Sequence, residues 1–277
     1  MMNLKNLYPA ILAAFISLSV SAAPAESADL VKDYSIPPSV TALKSQPRTA
    51  LIIGNSYAYY NCGQFDYLWG FSGSSKDKKL ESEISTTAGA GLDWHDVKGL
   101  IAPTGDSWRY LFRKQDGRIF DAVILQGNSR EPIDPRMKES FARWAAIHAG
   151  TIRDAGGEPM LMMTWAREGQ PEMTKALADA TIKVGNDNGM MVIPVGLAFA
   201  EVKRLYPEIK LIMPDKSHPT AAGSYLASAV IWSSLMRESL AGNDFLGGCE
   251  KPLVKETALK LQETARAVTK AVFGWHE

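Results

Sequence analysis

The chain has 277 residues, of which 46% are hydrophobic and 22% charged, and its formal net charge is zero. That is an ordinary globular composition with enough apolar material for one sizeable core. Balanced charge, with no basic run interleaved with aromatics, argues against nucleic acid as a partner and gives no electrostatic reason to expect an anionic membrane.

Taken in chain order, the first residues carry an address. Lys5 precedes an apolar stretch over 10–20, then Ser21, Ala22 and the A-x-A pattern Ala23-Pro24-Ala25. These are the parts of a secretory signal peptide, placed at 1–25, with Ala28 as a second cleavage point. The stretch is shorter than the about 20 residues a membrane span needs. Export to the periplasm or the medium is expected, with no stable membrane insertion after cleavage; the alternative is an uncleaved anchor helix. Residues 26–47 form a polar lead-in carrying Pro37-Pro38, and one domain is expected over 48–277.

Within that domain, 49–53 is a continuous apolar run ending at Gly54, the pattern of a buried strand. Further strands are expected at 83–88, 120–125, 159–164 and 190–195. Helices are expected at 135–155, which stops at Gly156-Gly157, at 172–188, at 220–236 and at 251–272. The Gly- and Ser-rich stretch 63–79 reads as a surface excursion that overhangs the end of the first strand, and 102–117 as irregular. Strands alternating with helices predict an α/β fold, a parallel sheet of about five strands covered on both faces.

Cys62 and Cys249 are the only cysteines, and distance in sequence leaves both a disulfide and two free thiols open. The four histidines are scattered and no zinc-site spacing occurs, so no metal and no cofactor are expected.

In an open parallel sheet, ligands bind beyond the carboxyl ends of the strands. There the polar residues collect: Asn55-Ser56 after the first strand, Gly89 and Gly91 after the second, Gln126-Gly127-Asn128-Ser129 after the third, Thr164-Trp165 after the fourth. Asp215-Lys216-Ser217-His218-Pro219 opens the penultimate helix. A serine hydroxyl is a weak nucleophile until an imidazole takes its proton, and that imidazole needs an acceptor to fix its tautomer. Ser56, His218 and Asp215 supply the three parts. They also run in the α/β-hydrolase order, but that fold needs several strands before its nucleophile, and the second glycine of its elbow is missing here.

These blocks resemble the four motifs of the SGNH (GDSL-type) hydrolase superfamily. Gly54-Asn55-Ser56 resembles the nucleophile block, Gly89 and Gly91 the second, Gln126 to Ser129 the asparagine block, and Asp215 to Pro219 the D-x-x-H block. The continuation Ala222-Gly223-Ser224-Tyr225-Leu226-Ala227 is also similar, and the order agrees from about 49 to 236. The resemblance implies a flavodoxin-like three-layer α/β/α sandwich. It implies Ser56 as nucleophile, His218 as base and Asp215 as its orienting acid. The oxyanion hole would comprise the backbone N–H groups of Ser56 and Gly91 (Gly89 the weaker choice) and the Asn128 amide. Asn55 stands where Asp is commonest, and Gln126 and Ser129 depart from the usual G-x-N-D.

Asn55, Gln126, Trp165 and His95 are candidates to line the substrate site, with Trp165 and Tyr225 as aromatic platforms for a sugar; core packing is the competing reading for the rings. The function expected is secreted ester hydrolysis through an acyl-enzyme, removing small acyl groups such as acetyl from a small ester or an acylated glycan. An O-acyltransferase with the same acyl-enzyme, or a non-catalytic carbohydrate-binding relative, are the alternatives.

Overall fold

The computed structural model describes residues 33–102, 119–248 and 251–276. The signal segment 1–25, nearly all of the irregular stretch 102–117, and Cys249 lie outside the described residues.

Five apolar runs become the strands β1 (Thr49–Gly54), β2 (Glu81–Thr86), β3 (Ala122–Leu125), β4 (Glu158–Met162) and β5 (Met191–Ile193). They form one parallel sheet in the order β2-β1-β3-β4-β5. Strands β1 and β3 are buried at every position, as expected of central strands covered on both faces. The expected α/β sandwich is present.

Between and after the strands lie α1 (Ser56–Tyr59), α2 (Gln64–Ser74), α3 (Val97–Ile101), α4 (Lys138–Asp154), α5 (Met173–Asp187), α6 (Val195–Leu205), α7 (Ala221–Met236) and α8 (Lys255–Phe273). The step from β1 to β2 runs one way along the sheet, and the later steps through β3, β4 and β5 run the other. Right-handed crossovers therefore put α2 on one face and α3, α4 and α5 on the opposite one. Helix α7 packs on α2, α6 and α8. It is buried from Gly223 to Met236 with no polar face, because α8 covers the side turned away from the sheet. The chain reverses direction between β1 and β3, and that is where a doubly wound sheet opens its ligand crevice.

Two expectations need correcting. The stretch 63–79 is no overhanging excursion, because it contains α2, with Tyr67, Leu68 and Phe71 buried. Packing of that aromatic stripe against Tyr225, Trp232 and Phe245 overrides the poor helix propensity of Gly70, Gly73 and the serines. The fifth strand ends at Ile193 rather than at 195, since Pro194 takes the N-cap position and α6 starts at Val195.

The described part of the lead-in is pinned to the domain. Ser35 and Ser39 N–H groups donate to Asp179 and Asn186 of α5, Lys44 N–H donates to Glu158, and Trp275 Nε1–H donates to the Thr41 carbonyl. Among the described residues no helix is long and apolar enough to cross a membrane.

Phe71 is fully buried, so Phe71→Ala should lower the unfolding free energy by about 3–5 kcal/mol. Urea unfolding of the two proteins measures this; a change under about 1 kcal/mol would mean α2 is not part of the cooperative core.

Candidate active site

Strand β1 ends at Gly54, and the chain turns at once into α1. Asn55 caps that helix by accepting the Tyr57 N–H on its Oδ1, so Ser56 occupies the first helical position directly above the sheet edge. A side chain at Gly54 would place its Cβ 2.4 Å from Gln126 Oε1, so it would displace the Gln126 amide from its present place between the two motif loops.

From the other end of the chain, Ile212 pairs with Pro219 across a tight loop, and Met213 N–H donates to the His218 carbonyl at 2.8 Å. Lys216 takes φ +65° at the tip, and Thr220 caps α7 through Gly223 N–H. The loop thereby presents Asp215 and His218 together. Asp215 Oδ2 lies 2.6 Å from His218 Nδ1, and Oδ1 accepts the Ser217 and His218 backbone N–H groups at 2.9 and 3.0 Å. Partial desolvation opposes ionisation of Asp215. The hydrogen bonds from His218 and Ser217 nevertheless hold its carboxyl below the ordinary carboxylate range.

An ionised carboxylate can only accept, so Nδ1 of His218 is the donor of that bond and Nε2 is the nitrogen turned to Ser56. His218 Nε2 lies 2.9 Å from Ser56 Oγ, across 162 positions of sequence. Ser56 Oγ, the His218 ring and the Asp215 carboxylate thus stand in one hydrogen-bonded line.

The imidazole is held from several sides. Tyr60 stacks on its face at 4.3 Å between ring centroids, and Tyr57 meets it edge-on at 5.7 Å. Tyr57 also hydrogen-bonds Ser217 Oγ at 2.7 Å and stacks on Trp165, which stacks in turn on Phe199. Trp165 Nε1–H donates to the Ser217 carbonyl, and the Asn61 amide donates to the Pro219 carbonyl and Ser224 Oγ. Sequence reasoning missed Tyr57, Tyr60 and Asn61, although all three lie within five residues of Ser56.

On the oxyanion side, no hydrogen bond among the described residues uses the backbone N–H of Ser56, at the head of α1, or of Gly91, at the head of the 3₁₀ turn Leu92–Trp94. Asn128 Nδ2 donates one N–H to the Gly89 carbonyl at 3.0 Å, which leaves its second N–H for a ligand. Gly89 contributes its carbonyl to this contact, and no hydrogen bond among the described residues uses its backbone N–H either.

The four substrate-lining candidates are corrected. Asn55, Gln126, Trp165 and His95 are exposed by 3, 0, 0 and 7%, too little to form the wall of an open cleft. Asn55 N–H donates to Gln126 Oε1 and Gln126 Nε2 to Asn55 Oδ1, both at 3.0 Å. Asn55 Nδ2 donates to the Ala90 and Gly127 carbonyls, and Gln126 Nε2 also reaches Gly127. Two of the three departures from the motif pattern, Asn55 and Gln126, are therefore partners. An amide at 55 supplies donors that an aspartate would lack. Trp165 and Tyr225 are core rings; the exposed ones beside the motif loops are Tyr59 and Trp94, at 41 and 65%. His95 makes no bond to Ser56, and burial, helped by nearby His148, pushes its pKa down. Cys62 is disulfide-bonded.

Neither a family model nor a curated protein matches this sequence. Solved structures do. A protein from Slackia heliotrinireducens, assigned provisionally as an SGNH hydrolase, is 23% identical over 69% of this chain and 98% of its own, with a TM-score of 0.51. The fold is that of the SGNH hydrolases. A DUF4886 family protein from Bacteroides uniformis is similar at 17% identity, covering 79% of this chain and 93% of its own (TM-score 0.56). A catalytic mutant of an acetylxylan esterase from Geobacillus stearothermophilus shares the fold at 14% identity, over 68% and 94% of the two chains (TM-score 0.51).

Asn55→Asp should lower stability by about 1–3 kcal/mol, because the Ala90 and Gly127 carbonyls lose their buried donor and face a carboxylate instead. Chemical denaturation of both proteins checks this; equal stability would mean the amide bonds at 55 contribute nothing.

Proposed function

We propose that this protein is an exported serine ester hydrolase that works through an acyl-enzyme on Ser56. The observation that carries the reading is the continuous line Asp215–His218–Ser56, with spacings of 2.6 and 2.9 Å. Substrate carbonyl carbon forms a bond to Ser56 Oγ as the hydroxyl proton passes to His218 Nε2. The oxyanion is received by the N–H groups of Ser56 and Gly91 and the amide of Asn128. Loss of one such donor typically raises the barrier by about 3 kcal/mol. The C–O bond to the alcohol then breaks, and His218 protonates the leaving oxygen. Water attacks the acyl-serine with His218 again as base, and release of the acid returns the proton to Ser56.

The reciprocal bonding of Asn55 and Gln126 accounts for two of the three departures from the motifs without loss of the reactive groups, which favours a catalytic over a purely binding role. The substrate class proposed is a small acyl group, such as acetyl, on a carbohydrate. It takes its direction from the acetylxylan esterase among the fold neighbours and from the exposed Trp94, three positions beyond Gly91, since a fold by itself does not name a substrate. Export rests on the N-terminal signal pattern, and the disulfide at Cys62 fits an oxidising compartment.

A fluorophosphonate probe should form one adduct, on Ser56, found by peptide mass spectrometry and absent in Ser56→Ala. Hydrolysis of short chromogenic esters should fall at least about a thousandfold in Ser56→Ala and His218→Ala, and by about a hundred- to ten-thousandfold in Asp215→Asn. Full esterase activity in His218→Ala would remove the assigned base and the reading with it. For the glycan class, Trp94→Ala should raise KM for an acetylated polysaccharide by about three- to tenfold, with small-ester turnover unchanged. Equal loss on both substrates would remove Trp94 as a sugar platform.

A further inference from the structure

Behind the proposed oxyanion donors sits a carboxylate that no motif predicts. Glu131 is 1% exposed. Its Oε2 accepts the Asn128 backbone N–H at 2.8 Å, and both oxygens accept the Leu92 N–H, at 3.1 and 3.2 Å. One carboxylate thus joins the residue after Gly91 to the residue that carries the oxyanion amide.

The two loops are shaped around it. A Cβ built on Gly91 would lie 2.8 Å from Glu131 Oε1, and one built on Gly127 would lie 2.5 Å from Oε2. Glycine at both positions lets the carboxylate lie against two backbones at once. These loops follow β2 and β3, which are not neighbours, because β1 lies between them. Sheet hydrogen bonds therefore do not set the distance between the Gly91 N–H and the Asn128 amide. Side-chain bonds across the gap hold the two loops to one another: those of Glu131 to Leu92 and Asn128, that of Asn128 to Gly89, and those of Asn55 to the Ala90 and Gly127 carbonyls; of these, Glu131 alone bonds the backbone N–H of Asn128.

We propose that Glu131 is a positioning residue that sets the spacing of the oxyanion donors at Gly91 and Asn128 by bonding the backbone of both loops. This rests on the ester-hydrolase reading above. Glu131 acts through the loops and does not touch substrate. Its value lies in reach, not charge. A negative charge behind the hole opposes a developing oxyanion, and burial already pushes the pKa of this carboxyl up. Donors displaced by a fraction of an ångström lose much of their stabilisation of the tetrahedral intermediate. They still permit substrate to bind, so the effect belongs in kcat.

The test compares wild type with Glu131→Ala, Glu131→Asp and Glu131→Gln on a short chromogenic ester. Turnover is expressed per site that takes up a fluorophosphonate at long incubation, so that misfolded protein is not counted. Glutamine keeps the length and an oxygen at the Oε2 position, and should stay within about fivefold of wild type in kcat. Aspartate keeps the charge but falls a methylene short, and it should lose about a hundredfold in kcat, as should alanine, with KM within about threefold. If alanine does not fold, the aspartate and glutamine variants still decide. Per-site kcat of Glu131→Asp within threefold of wild type would overturn the assignment while leaving the hydrolase reading intact. So would a glutamine variant as slow as aspartate, because charge would then be the operative property. A wild type that neither labels nor hydrolyses would remove both readings.

Discussion

The hydrogen bond between Ser56 Oγ and His218 Nε2 joins the end of the first strand to a loop 162 positions later, and most of the architecture around it serves to make that meeting reproducible. The serine is fixed by a strand buried at every position and by an Asn55 cap. The histidine is fixed by a loop closed at both ends, by the Asp215 carboxylate and by two tyrosine rings. Neither half has much freedom left. The entropy of ordering these two side chains is lost in folding, so little further ordering is needed for the two groups to meet.

A second constraint is polar and buried. Asn55, Gln126 and Glu131 have almost no contact with water, yet all bond backbone groups of the loops that follow β1, β2 and β3. In a low-dielectric interior such bonds are strong when satisfied and costly when broken. Their placement under the crevice, rather than at random in the core, sets the shape of the floor that carries the N–H groups of Ser56, Gly91 and Asn128. Gly54, Gly91 and Gly127 follow from the same network, because the Gln126 and Glu131 side chains fill the space a Cβ would need.

The strands and the places of Ser56, Asp215 and His218 at element ends were legible because their signals are local. Buried strands are unbroken apolar runs, and the serine and the Asp-His pair sit where those runs or helices end. What stayed hidden depends on contacts distant in sequence. Helix α2 was obscured by Gly70, Gly73 and several serines, and only its packing on Tyr225, Trp232 and Phe245 makes it a helix. Helix α6 was partly masked because 190–195 reads as one apolar run through Pro194. Trp165 follows a strand and so reads as a site residue, yet it is stacked between Tyr57 and Phe199. Glu131 looks like any surface glutamate in sequence. The available hint was two motif glycines, at 91 and 127, with no turn that demanded both.

The most direct measurement is a crystal structure of the protein after reaction with a small alkyl fluorophosphonate. The account predicts phosphorus bonded to Ser56 Oγ, with one phosphonyl oxygen about 3 Å from the backbone nitrogens of Ser56 and Gly91 and from Asn128 Nδ2. Phosphorus bonded to another residue, or an oxygen turned to solvent with those three nitrogens empty, would contradict it.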